Sequence, residues 1–152
     1  MIDKFEGENA FLSNFYELSE KITDECGIAY PTVEHYFQAA KTNNISMRMA
    51  ISLMDSPGKA KRAGRNLDLR YDWEEIKVDV MRQALAKKFA DPVLARKLMA
   101  TGNQYLEEGN HWCDNFWGVC HCSKCQDKVG QNNLGKLLME LREEIKRGYR
   151  LN

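Results

Sequence analysis

YPTVEHYFQAAK, residues 30–41, sets Glu34, His35, Gln38 and Lys41 into a segment that is otherwise aromatic and apolar. Pro31-Thr32 opens a helix with Thr32 as its N-cap, and the helix is expected to run to about Lys41. Residues four and seven apart share a helix face, so Glu34, Gln38 and Lys41 form one row. Phe37 lies beside that row, and Val33, Tyr36 and Ala40 make the flanking apolar surface. Two readings of the row stand. It is the solvated face of an amphipathic helix, or it is a pocket wall. In the pocket the carboxylate handles protons, the amide orients a ligand and the amine serves as nucleophile or anchor. His35 sits off the row and reads as a structural, hydrogen-bonded histidine.

Outward from this helix, the N-terminal part has short mixed runs broken by Gly, Asn and Ser. Strands are expected near Ile2–Phe5, Lys21–Asp24 and Gly27–Tyr30, with Glu25-Cys26 in a hairpin turn. SMRMAISLMDS reads as a short helix, and SPGKAKRAGR as another with Ser56 as N-cap and Pro57 at its first position. DWEEIKVDVMRQALAKKFA is the clearest mid-chain helix. Asp72 with Glu75 makes a capping-box start, and Val78, Met81, Leu85 and Phe89 share a face. Asp91-Pro92 starts the next helix, and Thr101-Gly102 ends it. NQYLEEG reads as a strand. In NLGKLLMELREEIKRG the buried stripe is Leu134, Leu137, Leu138, Leu141 and Ile145, and Gly148 is expected to stop the helix. The sum is α+β: a helix-rich single domain, residues 1–152, with a small N-terminal antiparallel sheet.

The chain has 152 residues, enough for one sizeable core without a disulfide staple. Its 22 basic and 22 acidic residues cancel, which argues against binding nucleic acid by bulk charge but leaves a local basic groove open. No apolar run is long enough to span a membrane and no secretory h-region is seen, so a cytoplasmic location is expected. Four of the five cysteines, Cys113, Cys120, Cys122 and Cys125, lie together, which is not the pattern of a secreted disulfide framework. Cys122-x-x-Cys125 is a normal half of a zinc knuckle. The other half is Cys113 with Cys120, or His111. The rival reading is reduced thiols in a loop between Gly118 and Gly130. A metal here is expected to be a structural zinc.

Two further stretches bear on the polar row. FLSNFY, residues 11–16, places Ser13 and Asn14 among aromatics, either as a turn or as a pocket wall where Phe15 stacks on a base. DNFWG and GQNNLG put Asp114 and Trp117 near the start of the last helix, where free N–H groups make an anion site. The alternative there is plain capping by Asn132 or Asn133. GKAKRAGRNLDLR carries Lys59, Lys61, Arg62, Arg65 and Arg70, a solvated basic face or a phosphate contact.

In combination, FLSNFY, YPTVEHYFQAAK, LRYDWEEIKVDVMRQALAKKF, LMATG, DNFWG and GQNNLGKLLMELREE resemble the NADAR family of YbiA-like proteins. The motifs occur in family order and cover nearly the whole chain. The resemblance implies enzymes that cleave a ribose C1–nitrogen bond. One branch hydrolyses phosphoribosylamino-pyrimidine intermediates of riboflavin synthesis. Another removes ADP-ribose from guanine in DNA or nucleotides, reversing a DarT-type toxin that is then a partner encoded in the same operon. Loss of an amine from ribose C1 leaves an oxocarbenium-like or ring-opened species that a carboxylate can stabilise. Glu34 is the candidate, with Asp114 as a second carboxylate. The resemblance also implies a lysine at C1, and Lys41 fits a Schiff-base role if its surroundings lower its pKa. Substrate contacts are expected from Ser13, Asn14, Phe15, Gln38, Arg62, Arg65, Trp117 and Asn132. No cofactor is expected for catalysis. The leading expectation is removal of ADP-ribose from guanine. The rivals are the riboflavin-intermediate glycosidase and a non-catalytic module that binds ADP-ribose or NAD.

Overall fold

Thr32 is extended and its hydroxyl oxygen accepts the His35 N–H at 3.0 Å, which starts helix α1 (Val33–Ala39) one residue later. The computed structural model describes residues 1–151. In chain order β1 (Ile22–Thr23), β2 (Ala29–Tyr30), α1, α2 (Ile45–Ser52), α3 (Pro57–Arg65), α4 (Trp73–Lys88), α5 (Pro92–Ala100), β3 (Gly109–Asn110), β4 (Val119–Cys120) and α6 (Asn133–Leu151) follow, with 3-10 turns at Gly7–Leu12 and Ser123–Cys125. The expected fold class holds: helices dominate and β1 pairs antiparallel with β2. The chain divides into two compact units, Asn14–Asp91, and Met1–Ser13 with Pro92–Asn152.

In the Asn14–Asp91 unit, α1 is the centre. It packs on α2, α3, α4, β1 and β2, and all seven of its residues are buried. His35 has the structural role expected of it: Nδ1 lies 2.7 Å from the Thr32 hydroxyl and Nε2 lies 2.9 Å from the Met54 carbonyl. The hairpin turn falls at Glu25-Cys26, but its strands are two residues each, shorter than expected. The reason is Asp24, whose Oδ1 accepts the N–H groups of Cys26 and Ile28 at 2.9 and 3.0 Å and so closes the loop by a side chain. Its Oδ2 accepts from the Tyr30 hydroxyl at 2.7 Å and from buried Arg48 at 3.2 Å. Arg48 also reaches the Thr42 carbonyl at 2.7 Å, tying α2 to the end of α1.

Helix α3 begins as expected, with the Ser56 hydroxyl oxygen accepting from Lys59 N–H and Pro57 at the first position. It lies so close to α1 that a Cβ on Gly64 would sit 1.8 Å from Gln38 Oε1. The capping box of α4 does not form. Arg70 holds the Asp72 carboxylate at 2.6 Å, and the helix start is left with backbone bonds to the Asp72 carbonyl. Met81, Leu85 and Phe89 are buried as expected while Val78 is half-buried, and the same helix also buries Lys88. The Lys88 ammonium lies 5.6 Å from the Tyr16 ring centre and 5.2 Å from that of Phe89.

In the other unit, the expected Ile2–Phe5 strand is a single bridge, Ile2 to Leu106. NQYLEEG supplies that partner and then leads into β3, which pairs in parallel with β4. Gly102 takes φ +67° and ends α5 as expected. Buried Arg142 of α6 donates to the Thr101 hydroxyl and the Gln104 carbonyl, both at 2.9 Å, which fixes α6 against the end of α5. Leu134, Leu137 and Leu138 are buried, and Leu141 and Ile145 half-buried. Gly148 does not stop α6, which runs to Leu151. A glycine in a helix costs only about 1 kcal/mol, too little to end a helix by itself.

Burial lowers the Lys88 pKa to about 7. A base whose folded pKa lies below its unfolded value binds fewer protons when folded, so stability rises with pH between the two values. Unfolding free energy from urea titrations is expected to climb from about pH 7 toward pH 10 by up to about 1.4 kcal/mol per pH unit on account of this group. In Lys88→Met that component of the slope disappears.

Candidate functional site

The row on α1 is settled by burial. Glu34 is 7% exposed and Gln38 5% exposed, so this is no solvated face. Gln38 Nε2 donates to Glu34 Oε1 at 2.7 Å, and the Glu34 N–H donates to the Asn14 carbonyl at 3.0 Å. Two acceptors are buried with no hydrogen-bond partner among the described residues, Gln38 Oε1 and Asn14 Oδ1. An unmet buried acceptor costs about 1–3 kcal/mol.

Lys41 follows α1 and is half-buried. Burial lowers its pKa. Glu34 opposes that shift, and the positive charges of Lys61, Arg65 and Lys77 add to it. Its Nζ lies 5.8 Å from the Phe37 ring centre, and Lys61 Nζ lies 5.9 Å from the ring centre of Phe15, which is 44% exposed. Asn14, Phe15, Glu34, Gln38, Lys41 and Arg65 all lie within the Asn14–Asp91 unit. The basic segment sorts itself. Lys61 and Arg65 act on Lys41, whereas Lys59 pairs with Asp55 and Arg70 with Asp72. Arg62 is exposed and is not among the charges acting on Lys41.

Lys77, whose Nζ also pairs with Glu74 Oε2 at 2.6 Å, was missed by sequence reasoning. A signal for it existed: Trp73 packs on Phe37 with ring centres 5.0 Å apart, and Lys77 is one helical turn beyond Trp73.

The remaining candidates lie in the other unit. Ser13 is half-buried and ends the first 3-10 turn through its N–H to the Ala10 carbonyl. Asp114 Oδ1 accepts the N–H groups of Phe116 and Trp117 at 3.1 and 2.9 Å. Its backbone is held on both sides by Asn110, 1% exposed, which donates to the Asp114 carbonyl at 2.8 Å and accepts its N–H at 3.2 Å. Asn110 was not foreseen, because nothing in its sequence context separates it from a turn asparagine. Trp117 is half-buried, edge-on to Phe116 with ring centres 4.8 Å apart. Asn132 spends its side chain on the backbone: Oδ1 accepts Glu108 N–H at 3.0 Å and Nδ2 donates to the Leu106 carbonyl at 2.9 Å. The N–H groups of Gln131, Asn132, Asn133 and Leu134, expected to face an anion, donate to the carbonyls of Asn115, Gly118, Phe116 and Trp117.

The Sγ atoms of Cys113, Cys120, Cys122 and Cys125 lie within 4.8 Å of one another, and this set could bind a metal ion. All four are free thiols. The hydrogen bond with Cys120 brings the Cys122 pKa down to about 7, and the one with Cys113 drives that of Cys125 up to about 12.

The NADAR domain model matches residues 3–146. The chain belongs to the NADAR family. Over 145 residues this NADAR chain is 39% identical to N-glycosidase YbiA of Escherichia coli K12, covering 87% of each protein. It is similar along its whole length to the NMR structure of the E. coli protein YbiA, with a TM-score of 0.82, 35% identity and 89% of that chain covered. It is also 36% identical over 140 residues to a riboflavin biosynthesis protein of Vibrio vulnificus, and 38% identical over 148 residues to the chloroplastic riboflavin biosynthesis protein PYRR of Zea mays. These matches take in 90% and 88% of the chain but only 36% and 23% of those longer proteins. The NADAR relatives matched over most of their own length are named N-glycosidases, hydrolases of N-glycosyl bonds.

The charges around Lys41 set a test within this NADAR site. Lys61→Met removes a neighbouring positive charge and is expected to raise the Lys41 pKa. Glu34→Gln removes the carboxylate that holds it up and is expected to lower it further. NMR titration of the Lys41 Cε resonance reads both directions.

Proposed function

We propose that the chain hydrolyses a ribose C1–nitrogen bond, with ADP-ribosylated guanine in DNA or nucleotides as substrate and free ADP-ribose as product. The observation that carries this reading is a buried carboxylate, Glu34, beside a lysine of lowered pKa and three further cations. As the C–N bond lengthens, positive charge builds on C1 and the ring oxygen, and Glu34 stabilises it or manages the departing amine's proton. Water completes the reaction at C1. Where the sugar opens first, C1 is a protonated imine to the guanine nitrogen; the neutral Lys41 amine adds to C1, a proton passes from it to the guanine nitrogen, and the guanine amine leaves as the lysine imine forms. Water then hydrolyses that imine, returning Lys41 and free ADP-ribose. Gln38 and Asn14 hold the Glu34 side chain and backbone in place beside the sugar. Phe15 stacks on a base, and Lys61, Arg65 and Lys77 take phosphate oxygens. Several cations beside Lys41 favour a diphosphate over a single phosphate.

Asp114 is carried as a candidate carboxylate through the oxygen that its own turn does not use, and the match across residues 3–146 supports reading the chain as one functional domain. No cofactor is assigned to this chemistry. A DarT-type toxin is the partner that would supply the modified guanine. The names of the Vibrio and maize relatives favour a second substrate, a ribosylamino-pyrimidine phosphate, broken at the same C1–N bond.

Glu34→Gln is expected to lower turnover by at least about 100-fold, in the range of a lost acid–base group, while the unfolding midpoint stays near wild type. Full activity in that variant sinks the assignment. Both substrates are to be assayed side by side. Turnover of ADP-ribosyl-guanine DNA supports the first reading, turnover of the pyrimidine alone supports the second, and binding without turnover of either points to a binding module. Borohydride reduction during turnover tests the imine, which leaves a sugar adduct on Lys41 that Lys41→Arg does not form. Asp114→Asn keeps the Oδ1 acceptor of the turn, so any fall in its turnover reads the lost charge.

A further inference from the structure

The loop from Asn110 to Gly130 has little regular structure: two residues of β4 and one 3-10 turn. Its four thiols nevertheless converge. In a tetrahedral zinc site the Zn–S bond is about 2.3 Å, which puts the sulfurs about 3.8 Å apart. Here all four Sγ atoms lie within 4.8 Å of one another, and Cys113 and Cys122 are 3.6 Å apart. Four cysteines converging from a C-x6-C-x-C-x2-C run, none of them paired, are a ligand set rather than a disulfide framework.

Two further features fit. Cys120 Sγ accepts the N–H of Cys113 at 3.2 Å and of Cys122 at 3.4 Å, and N–H donors to sulfur stabilise thiolates around a metal. Cys113 takes φ +65°, a left-handed conformation that L side chains adopt only under constraint. A bond from its sulfur to a metal supplies that constraint. His111, the alternative fourth ligand, is outside the cluster.

We propose that Cys113, Cys120, Cys122 and Cys125 bind one zinc ion as a closed tetrathiolate site. Four protein ligands leave no position for water or substrate, so the ion is structural. Cys113 directly precedes Asp114, whose carboxylate organises the turn through Trp117. The zinc therefore fixes the start of that turn. The proposal stands apart from the glycosidase reading, because its tests read metal and stability.

The protein is to be purified without chelator and its metals measured by elemental analysis. About one zinc per chain is expected. Titrating the thiols of this wild-type protein with a mercurial, in the presence of a colorimetric zinc indicator, should release the ion as four sulfurs react. Cobalt substitution should give the intense visible bands of a tetrahedral thiolate site. Cys122→Ser is expected to lose most of the zinc and to unfold at lower temperature, whereas Cys26→Ser, outside the cluster, keeps it. Absence of zinc from the wild-type protein, stoichiometric iron in its place, or unchanged zinc in Cys122→Ser overturns the assignment.

Discussion

The burial of α1 on every side is the constraint from which the catalytic candidates follow. A seven-residue helix with no solvent face cannot leave its polar side chains to water, so each must find a partner inside. Thr32 and His35 satisfy each other at the N-terminus, and Gln38 takes the Glu34 carboxylate. Gly64 makes this possible, since any side chain there would displace the Gln38 amide. The same packing leaves Gln38 Oε1 without a partner. A fold that buries a carboxylate, locks it by an amide and leaves that amide's oxygen unmet has accepted an energetic cost, and such costs cluster where ligands bind.

Electrostatics adds a second constraint. Lys41 feels one carboxylate and three cations, and burial weakens the water screening that would mute them. An anion bound against Lys41 itself would raise its pKa and cost it the neutral form that a nucleophile needs. An anion held by Lys61, Arg65 and Lys77 neutralises the neighbours and raises the pKa less. Attack on the sugar and grip on a phosphate, the two roles proposed for Lys41, would thus compete, and the other cations would leave it free for the first.

Much of the helical framework was legible because its signals are local. Ser56-Pro57, Thr32 and Thr101-Gly102 each mark a boundary through one residue's own geometry. The row Glu34-Gln38-Lys41 was legible as a row, by helical spacing alone. Its burial was not, because burial depends on α2, α3 and α4 closing around it. The failures share that origin. Asp72 looked like a cap until Arg70 claimed it. Gly148 looked like a stop where an exposed helix simply continued. Lys88 drew no reading from the sequence, since nothing along the chain announces that the rings of Tyr16 and Phe89 lie beside it.

Asn110 shows a different way of building order. The loop it begins has only the two-residue pairing of β3 with β4 and one 3-10 turn, so many backbone groups are met by side chains: Asn110 on Asp114, Asp114 on Phe116 and Trp117, Asn115 on Cys120. Each bond contributes only about 1 kcal/mol net, and ordering each residue costs at least as much in backbone entropy. A loop fixed this way needs a stronger constraint at some point along its length. The four thiols stand where one is needed, on either side of β4 and immediately before Asp114, which explains why a segment rich in free rotors can still hold a left-handed Cys113.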